Sequence, residues 1–454
     1  MDIKTQIDEM ILKARQAQRL FESYNQEQVD ALVKAIAKVV YDNAKPFAKM
    51  AVEETRMGVY EDKIKKNEGK SKIIWNNLKD KKSVGVISRN EETGITEVAR
   101  PVGVVGAITP CTNPIVTPMC NAMFALKGRN AVIIAPHPRA KKCGKVVVDA
   151  MNKELDRLGA PKNLIQIIEE PSVEFSKELM SAVDVVVATG GMPMVKAAYS
   201  SGKPAFGVGA GNVQCIIDRD VDISVAVPKI VAGRMFDNGI ICSGEQTVIA
   251  PKEDYDAIIN EFRKNRCHFI SDKTEIDIIR KTLFPGGVMN KDLVGQSAIA
   301  VAKAAGISVP ADTKVILVEA GDFGNNDLLS KEKMCPVIST YKYETFDDAL
   351  KIAQANLDVE GRGHSVSIHS NNKENIENAG KVLTVSRVLI NQICSTMNGG
   401  SFYNGLAPTT TLGCASWGGN SISENFDYKH LLNIIKIAYY LEDKKVPTDE
   451  EIWG

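Results

Sequence analysis

The chain has 454 residues, room for about three domain-sized units at roughly 150 residues each. Lys plus Arg and Asp plus Glu both number 56, so the formal net charge is zero, which argues against a basic nucleic-acid-binding surface. Hydrophobic residues make up 44% and charged residues 25%, ordinary for a globular chain, and no apolar run approaches the ~20 residues a membrane helix needs. The nine cysteines are odd in number and scattered, with no Cys-x-x-Cys pair. They predict reduced thiols in a cytoplasmic protein and no structural metal site. The first residues lack an apolar signal core, so secretion is not expected.

Residues 1–58 carry apolar side chains three and four apart: Ile7, Met10, Ile11, Ala14, Ala17 and Leu20, then Val29, Leu32, Val33 and Ile36. This periodicity predicts helices that cover a neighbouring unit. A polar, lysine-rich stretch over 63–90 follows. From residue 100 the texture changes. Apolar runs at 102–108, 131–135, 164–168, 184–188 and 213–217 read as strands, separated by helices at 113–126, 140–158, 172–182 and 192–200. This alternation predicts βαβ units in a mostly parallel sheet, with ligands at the carboxyl ends of the strands. A second α/β set has strands at 247–250, 314–318, 337–341, 365–369 and 388–391, with helices at 255–264 and 346–356 between them. The tail from 431 carries an apolar run at 434–440, then charges and Pro447.

Cys242 follows the turn-prone Asp237-Asn238-Gly239 and precedes Ser243-Gly244. Such a loop between a helix and a strand is a usual place for a reactive side chain; a buried cysteine acting as a small hydrophobe is the alternative. Thr109-Pro110-Cys111-Thr112-Asn113-Pro114 ends a strand and begins a helix. Asn113 can aim its amide at an anion there, cap the helix, or do both. His137, Arg139, Lys141 and Lys142 lead from a strand into a helix N-terminus, a setting for a phosphate or for solvent. Thr189-Gly190-Gly191 closes the strand at 184–188, where small residues admit a pyrophosphate. Neither it nor Gly207-Val208-Gly209-Ala210-Gly211-Asn212 has the Gly-x-Gly-x-x-Gly spacing, and a P-loop is absent.

In this order the segments resemble the CoA-acylating branch of the aldehyde dehydrogenase superfamily over essentially the whole chain. The matching stretches are Ala198-Tyr199-Ser200-Ser201-Gly202-Lys203-Pro204-Ala205, residues 236–242, and Thr411-Leu412-Gly413-Cys414-Ala415-Ser416-Trp417-Gly418-Gly419-Asn420-Ser421. The chain is also similar to the aldehyde dehydrogenase half of bifunctional aldehyde–alcohol dehydrogenases, without the alcohol dehydrogenase half. The resemblance implies an α/β fold with a Rossmann-type cofactor domain over 1–219, interrupted by an oligomerisation ribbon near 83–101. A catalytic domain would follow over 220–402, then a return to the cofactor domain over 403–430 and an oligomerisation tail over 431–454. A homodimer or dimer of dimers is expected, because an edge strand as apolar as 434–440 needs a cover.

The same resemblance implies that Cys242 is the nucleophile and that Asn113, with the Cys242 backbone N–H, holds the oxyanion. Glu332 would bind the nicotinamide ribose, and Thr189, Gly190 and Gly191 would form the pyrophosphate turn. Thr109, Pro110 and Gly209 complete the expected cofactor site. His364 matches a histidine of the acylating branch and is expected to take the proton of the CoA thiol. His137 and Arg139 offer charge to a ribose 2′-phosphate, so NADP is expected as well as NAD.

Hydrolytic relatives carry a glutamate in the segment corresponding to 207–212. None occurs here, so transfer to CoA as co-substrate is expected in place of hydrolysis. Val59-Tyr60-Glu61-Asp62-Lys63, Thr117-Pro118-Met119-Cys120-Asn121-Ala122-Met123 and Glu450-Glu451-Ile452-Trp453-Gly454 narrow the resemblance to CoA-dependent succinate-semialdehyde dehydrogenases. The expected reaction is the reversible NAD(P)H-dependent reduction of succinyl-CoA to succinate semialdehyde and CoA, through a Cys242 thioester. Acetaldehyde or another short-chain aldehyde is the alternative substrate. The joint presence of Cys242, Asn113 and Glu332 argues against a non-catalytic nucleotide-binding or shell protein. No residue stands out as an anchor for the succinyl carboxylate, although Ser243 beside the nucleophile is one candidate.

Overall fold

The computed structural model describes residues 2–454. Four helices come first: α1 (Ile3–Phe21), α2 (Gln26–Asp42), α3 (Ala44–Thr55) and α4 (Tyr60–Leu78). Most of the apolar stripe read from the sequence is their inner face, with Ile7, Ala14, Ala17, Val29, Leu32, Val33 and Ile36 all buried, whereas Leu20, read into the same stripe, is exposed. Asn25 and Gln28 bond each other's backbone to start α2. The lysine-rich stretch contains α4, whose buried face begins with Lys63, Asn67 and Ser71 before Ile74 and Leu78.

The strands are β1 (Gly85–Asn90), β2 (Ile95–Pro101), β3 (Val104–Thr109), β4 (Ala131–Pro136), β5 (Ile165–Ile167), β6 (Val185–Thr189) and β7 (Ala205–Val208). The first two form an antiparallel hairpin. The other five form an all-parallel sheet in the order β5-β4-β3-β6-β7, with α5 (Val116–Lys127) and α6 (Lys141–Arg157) among its crossovers. Chain order reverses between β3 and β6, so Thr109 and Thr189 stand at the carboxyl-end switch point where such sheets take ligands.

A second parallel sheet holds β8 (Val213–Ile217), β9 (Glu245–Pro251), β10 (Cys267–Ile270), β11 (Val315–Glu319), β12 (Val337–Tyr343), β13 (Gly363–His369) and β14 (Val385–Ile390). Its order is β10-β11-β12-β9-β8-β13-β14. The strand at 213–217, grouped with the first set in the sequence reading, therefore lies inside the second sheet, between β9 and β13. Strands buried on both faces read alike whichever sheet they join. The chain crosses between sheets after Val208.

The last strand, β15 (Leu432–Ala438), pairs antiparallel with β2, giving the three-stranded ribbon β1-β2-β15. Before it, the chain returns to the first sheet. Thr411 Oγ1 lies 3.0 Å from Thr189 Oγ1, and Phe426 packs against Phe124 and Phe206. No helix among the described residues is long and apolar enough to cross a membrane.

Candidate active site

Helix Ile223–Met235 ends at Phe236, and the next three residues are all left-handed: Asp237 (φ 50), Asn238 (φ 53) and Gly239 (φ 69). Such a turn is costly for residues with a Cβ, and side-chain bonds hold it. Asp237 Oδ1 accepts from Val59 N (2.8 Å), and Asn238 Nδ2 donates to Gly295 O (2.9 Å). The turn delivers Cys242, half-buried, to the loop ahead of β9. Gly211 lies directly against it: a Cβ there would sit 1.8 Å from the Cys242 carbonyl oxygen. Burial pushes the Cys242 thiol up to about 12, helped by Glu332 and Cys414, while Arg387 pulls it down.

The α4 lysines converge on the same turn. Lys63 Nζ (3.1 Å) and Lys66 Nζ both donate to Asp237 Oδ2, deep in the protein. Burial pushes the Asp237 carboxyl up, but the two ammonium groups outweigh it and hold it below its ordinary value. Lys66 Nζ also donates to Asn113 Oδ1 (2.8 Å). This bond fixes the amide with its carbonyl toward Lys66, leaving the NH2 group as the end available to a ligand. Asn113 does not cap α5; the residue at the cap position is Ile115, with no side-chain bond.

Asn113, Lys66, Lys70, Cys242 and Ser243 line one cavity of about 410 Å³, with Phe236, Ile241, Met397 and Leu412 among its apolar walls. Lys70 Nζ donates to the carbonyls of Gly399 (2.7 Å) and Thr409 (3.1 Å). Burial pushes its ammonium down to about 8. Ser395 and Thr410 line the same cavity, and the Ser395 hydroxyl is buried without a partner. Ser243 Oγ donates to Ser395 O (3.0 Å), so its proton is already committed.

The expected cofactor residues gather at the carboxyl edge of the first sheet. Thr109 ends β3 and Pro110 follows it, while Thr189 ends β6 and Gly190 and Gly191 follow. The space around both glycines is open: the nearest atom to an added Cβ is 3.8–3.9 Å away. Gly209 instead accommodates Met192, whose Sδ would lie 2.1 Å from a Cβ there. Glu332 Oε1 accepts from Gly211 N (3.2 Å), which sets its carboxyl beside the Cys242 loop. Burial, and then Glu360, pushes the Glu332 carboxyl up to about 8.

The basic cluster after β4 differs from its sequence reading. The N–H groups of Lys142 and Cys143 at the start of α6 donate to the two carboxylate oxygens of Glu54, at 2.8 and 2.7 Å. Lys141 pairs with Glu170. The helix N-terminus is therefore already occupied by an anion, and what remains for a phosphate are the side chains of His137, Lys142 and Arg139, the last also donating to the Thr55 carbonyl (3.3 Å). His137 Nδ1 accepts from Arg139 N (3.1 Å), leaving Nε2 as the free end of the ring.

His364 lies at the start of β13, fully buried, and is not among the cavity-lining residues. Neither ring nitrogen has a partner. Burial, and then Arg387, pushes the imidazole down to about 3, so it is neutral at working pH. Sequence reasoning missed Lys66, Lys70 and Asp237. Lys63, Lys66 and Lys70 are spaced by three and four, the spacing of one helical face, and that was the available signal.

The site thus joins the open switch point of a parallel sheet to a cavity shared by a cysteine on a left-handed turn and an oriented amide. The chain belongs to the aldehyde dehydrogenase family, whose model matches residues 2–276. It is 56% identical over 454 residues to the succinate-semialdehyde dehydrogenase (acetylating) of Clostridium kluyveri, covering all of both chains. The fold is similar to that of an acetylating aldehyde dehydrogenase from Geobacillus thermoglucosidasius, with a TM-score of 0.94 and 35% identity over 98% of each chain. It is also similar to a propionaldehyde dehydrogenase of Rhodopseudomonas palustris with bound propionyl-CoA. There the TM-score is 0.85, with 30% identity over 95% of this chain and 94% of that one.

Proposed function

We propose that the chain is a CoA-acylating succinate-semialdehyde dehydrogenase, interconverting succinyl-CoA and succinate semialdehyde with NADP or NAD. The observation that carries this reading is one cavity holding a nucleophilic cysteine, an oriented amide and, at its wall, a buried lysine with the unpartnered Ser395 hydroxyl. The first pair suits an aldehyde carbon, the second a distal carboxylate. The full-length likeness to the Clostridium kluyveri enzyme supports the substrate.

The residues at the sheet edge fit a dinucleotide, since the space beside Gly190 and Gly191 is open and Glu332 presents a buried carboxyl. When bound, the nicotinamide supplies the hydride acceptor or donor. Cys242 Sγ adds to the aldehyde carbon, and the new alkoxide accepts from Asn113 Nδ2 and from the Cys242 N–H. Each preorganised donor is worth about 3–4 kcal/mol. Loss of hydride leaves a Cys242 thioester. The thiolate of CoA attacks that carbonyl and Cys242 leaves, an exchange of like for like that runs both ways. Residues 207–212 hold no acid to activate water. The resemblance makes His364 the proposed acceptor of the CoA proton; burial outside the cavity lowers its basicity, so the role requires bound CoA to bring a polar group to its partnerless ring.

The nine free cysteines suit a reducing compartment, which supports a cytoplasmic enzyme, and the exposed apolar β15 supports a homodimer. The test is a reaction of enzyme, succinate semialdehyde, CoA and either cofactor, with products read by mass. Succinyl-CoA is expected. Free succinate in its place, or a higher kcat/KM for acetaldehyde than for succinate semialdehyde, overturns the proposal.

A further inference from the structure

Glu245, the first residue of β9, is fully buried and takes no part in the chemistry proposed for Cys242. Among the described residues no Lys, Arg or His forms an ion pair with it. Arg234, in the helix Ile223–Met235, instead turns its Nη2 to the carbonyls of Lys333 and Cys335. A carboxyl so placed is unfavourable unless hydrogen bonds compensate it. Its Oε1 accepts from Cys394 N (2.8 Å), and its Oε2 has no partner. Gly233, in the same helix as Arg234, makes the room: a Cβ there would lie 2.1 Å from Oε2. Glycine inside a helix lowers its stability relative to alanine, so the fold gives up helix stability to seat this carboxyl.

The bond that Glu245 makes leads back to the cavity. Cys394 begins the short helix Cys394–Met397, and Ser395, Thr396 and Met397 line the cavity that Cys242 lines. Ser243 Oγ meets the same segment at Ser395 O (3.0 Å). Residues one and three places after Cys242 therefore hold two adjacent residues of the wall. The nucleophile end of this link is fixed separately, by the bonds of Asp237 and Asn238. Gln246, next along β9, holds Lys333 N (2.9 Å) beside Glu332, so the cofactor side has a bond of its own. What is left for Glu245 to set is the wall at 394–397.

We propose that Glu245 is a positioning residue: its carboxyl, seated between Gly233 and Cys394, sets the 394–397 wall of the aldehyde cavity against the Cys242 segment. It touches no substrate and acts through Ser395 and its neighbours. This inference rests on the cavity being the aldehyde site and is independent of which aldehyde fills it.

The test is steady-state kinetics of the intact enzyme with CoA, NADP or NAD, and whichever of succinate semialdehyde and acetaldehyde the parent turns over better. Glu245→Ala is expected to raise KM for that aldehyde about 10–100-fold, the scale of a hydrogen bond to a charged group, with kcat and KM for the cofactor little changed. Glu245→Gln keeps an Oε1 acceptor for Cys394 N and is expected to stay near the parent. Gly233→Ala is expected to raise KM as Glu245→Ala does, because its methyl displaces the carboxyl. It should add nothing where Glu245 is already alanine, since residues that act through one contact are not additive. Should Glu245→Ala not fold, Gly233→Ala and Glu245→Gln still decide. A Gly233→Ala enzyme with the parent's KM overturns the proposal. So do a Glu245→Gln enzyme as impaired as Gly233→Ala, additive losses in the double variant, and a loss in kcat with KM unchanged. The parent's preference between the two aldehydes tests the substrate reading by itself, so the two failures are told apart.

Discussion

At the scale of single residues, the chemistry depends on which atoms remain free once the protein has made its own bonds. Asn113 is usable because Lys66 takes its carbonyl oxygen, which leaves the amide donors for an oxyanion. Asn113→Ala is expected to lower kcat by about 10²–10³-fold, the scale of losing one oxyanion donor, with KM little changed; steady-state kinetics with succinate semialdehyde and CoA checks it. Lys70 is usable for the opposite reason. Its two protein bonds go to carbonyls, so its charge is not neutralised by an acid. A hydrogen bond to a charged group contributes about 1.5–3 kcal/mol. Lys70→Met is therefore expected to raise KM for succinate semialdehyde about 10–100-fold and to leave acetaldehyde turnover unchanged; equal losses on both aldehydes would assign Lys70 to folding. Cys242 was legible in the sequence because Asp-Asn-Gly before it and Ser-Gly after it are local signals. Lys70 was less so: its spacing from Lys63 and Lys66 puts all three on one helical face, but spacing alone does not tell a face turned to a cavity from one turned to water.

At the scale of elements, α4 and the 236–239 turn act as one unit. Asp237 is fully buried with Lys63 and Lys66 as its partners, and Gly58 lets its carboxylate approach, since a Cβ there would lie 1.9 Å from Asp237 Oδ1. Removing one partner of a buried pair leaves the other charge stranded, at a cost of about 3–5 kcal/mol. Asp237→Asn is expected to lower the thermal midpoint accordingly and to lower activity through Asn113; a variant as stable as the parent refutes the coupling. This helix was read as a polar stretch because its buried face is itself polar. Lys63, Asn67 and Ser71 are each at most 3% exposed, so hydrophobic periodicity, the signal that found α1 and α2, is missing where α4 begins. A second element, β13, buries His364 and His369 near its two ends. Burial, and then Lys229, pushes His369 down to about 4. Between the ordinary histidine value of about 6.5 and about 4, the unfolded chain binds a proton that the folded chain does not. Stability is therefore complete above that window and is lost as pH falls through it. Denaturant midpoints should fall less steeply with acid in His369→Gln than in the parent, and equal slopes would contradict this.

At the scale of the whole molecule, local patterns revealed the strands but not which sheet they join. The strands read at 102–108, 131–135, 164–168 and 184–188 correspond to β3, β4, β5 and β6, since each is a short apolar run bounded by turn residues. The one at 213–217 went to the wrong sheet, because membership depends on which neighbour it pairs with and not on its own composition. The zero net charge likewise hides its distribution, with lysines gathered at the cavity and Glu54 occupying the start of α6. The ribbon raises the largest unmet demand. β15 pairs with β2 along one edge only, and Ile434, Ile435 and Ile437 are 40%, 48% and 41% exposed, with Tyr439 and Tyr440 beyond them. Side chains alternate along a strand, so Ile435, Ile437 and Tyr439 share one face. Full burial of an isoleucine contributes about 1.5–3 kcal/mol, and a second subunit is the expected cover. Sedimentation at micromolar concentration is expected to give at least a dimer. Introducing charge on that face with Ile435→Asp and Ile437→Asp together is expected to yield folded monomers, because β15 keeps its backbone pairing to β2. A monomeric parent, or a doubly charged variant that stays dimeric, would place the subunit contact elsewhere on the molecule.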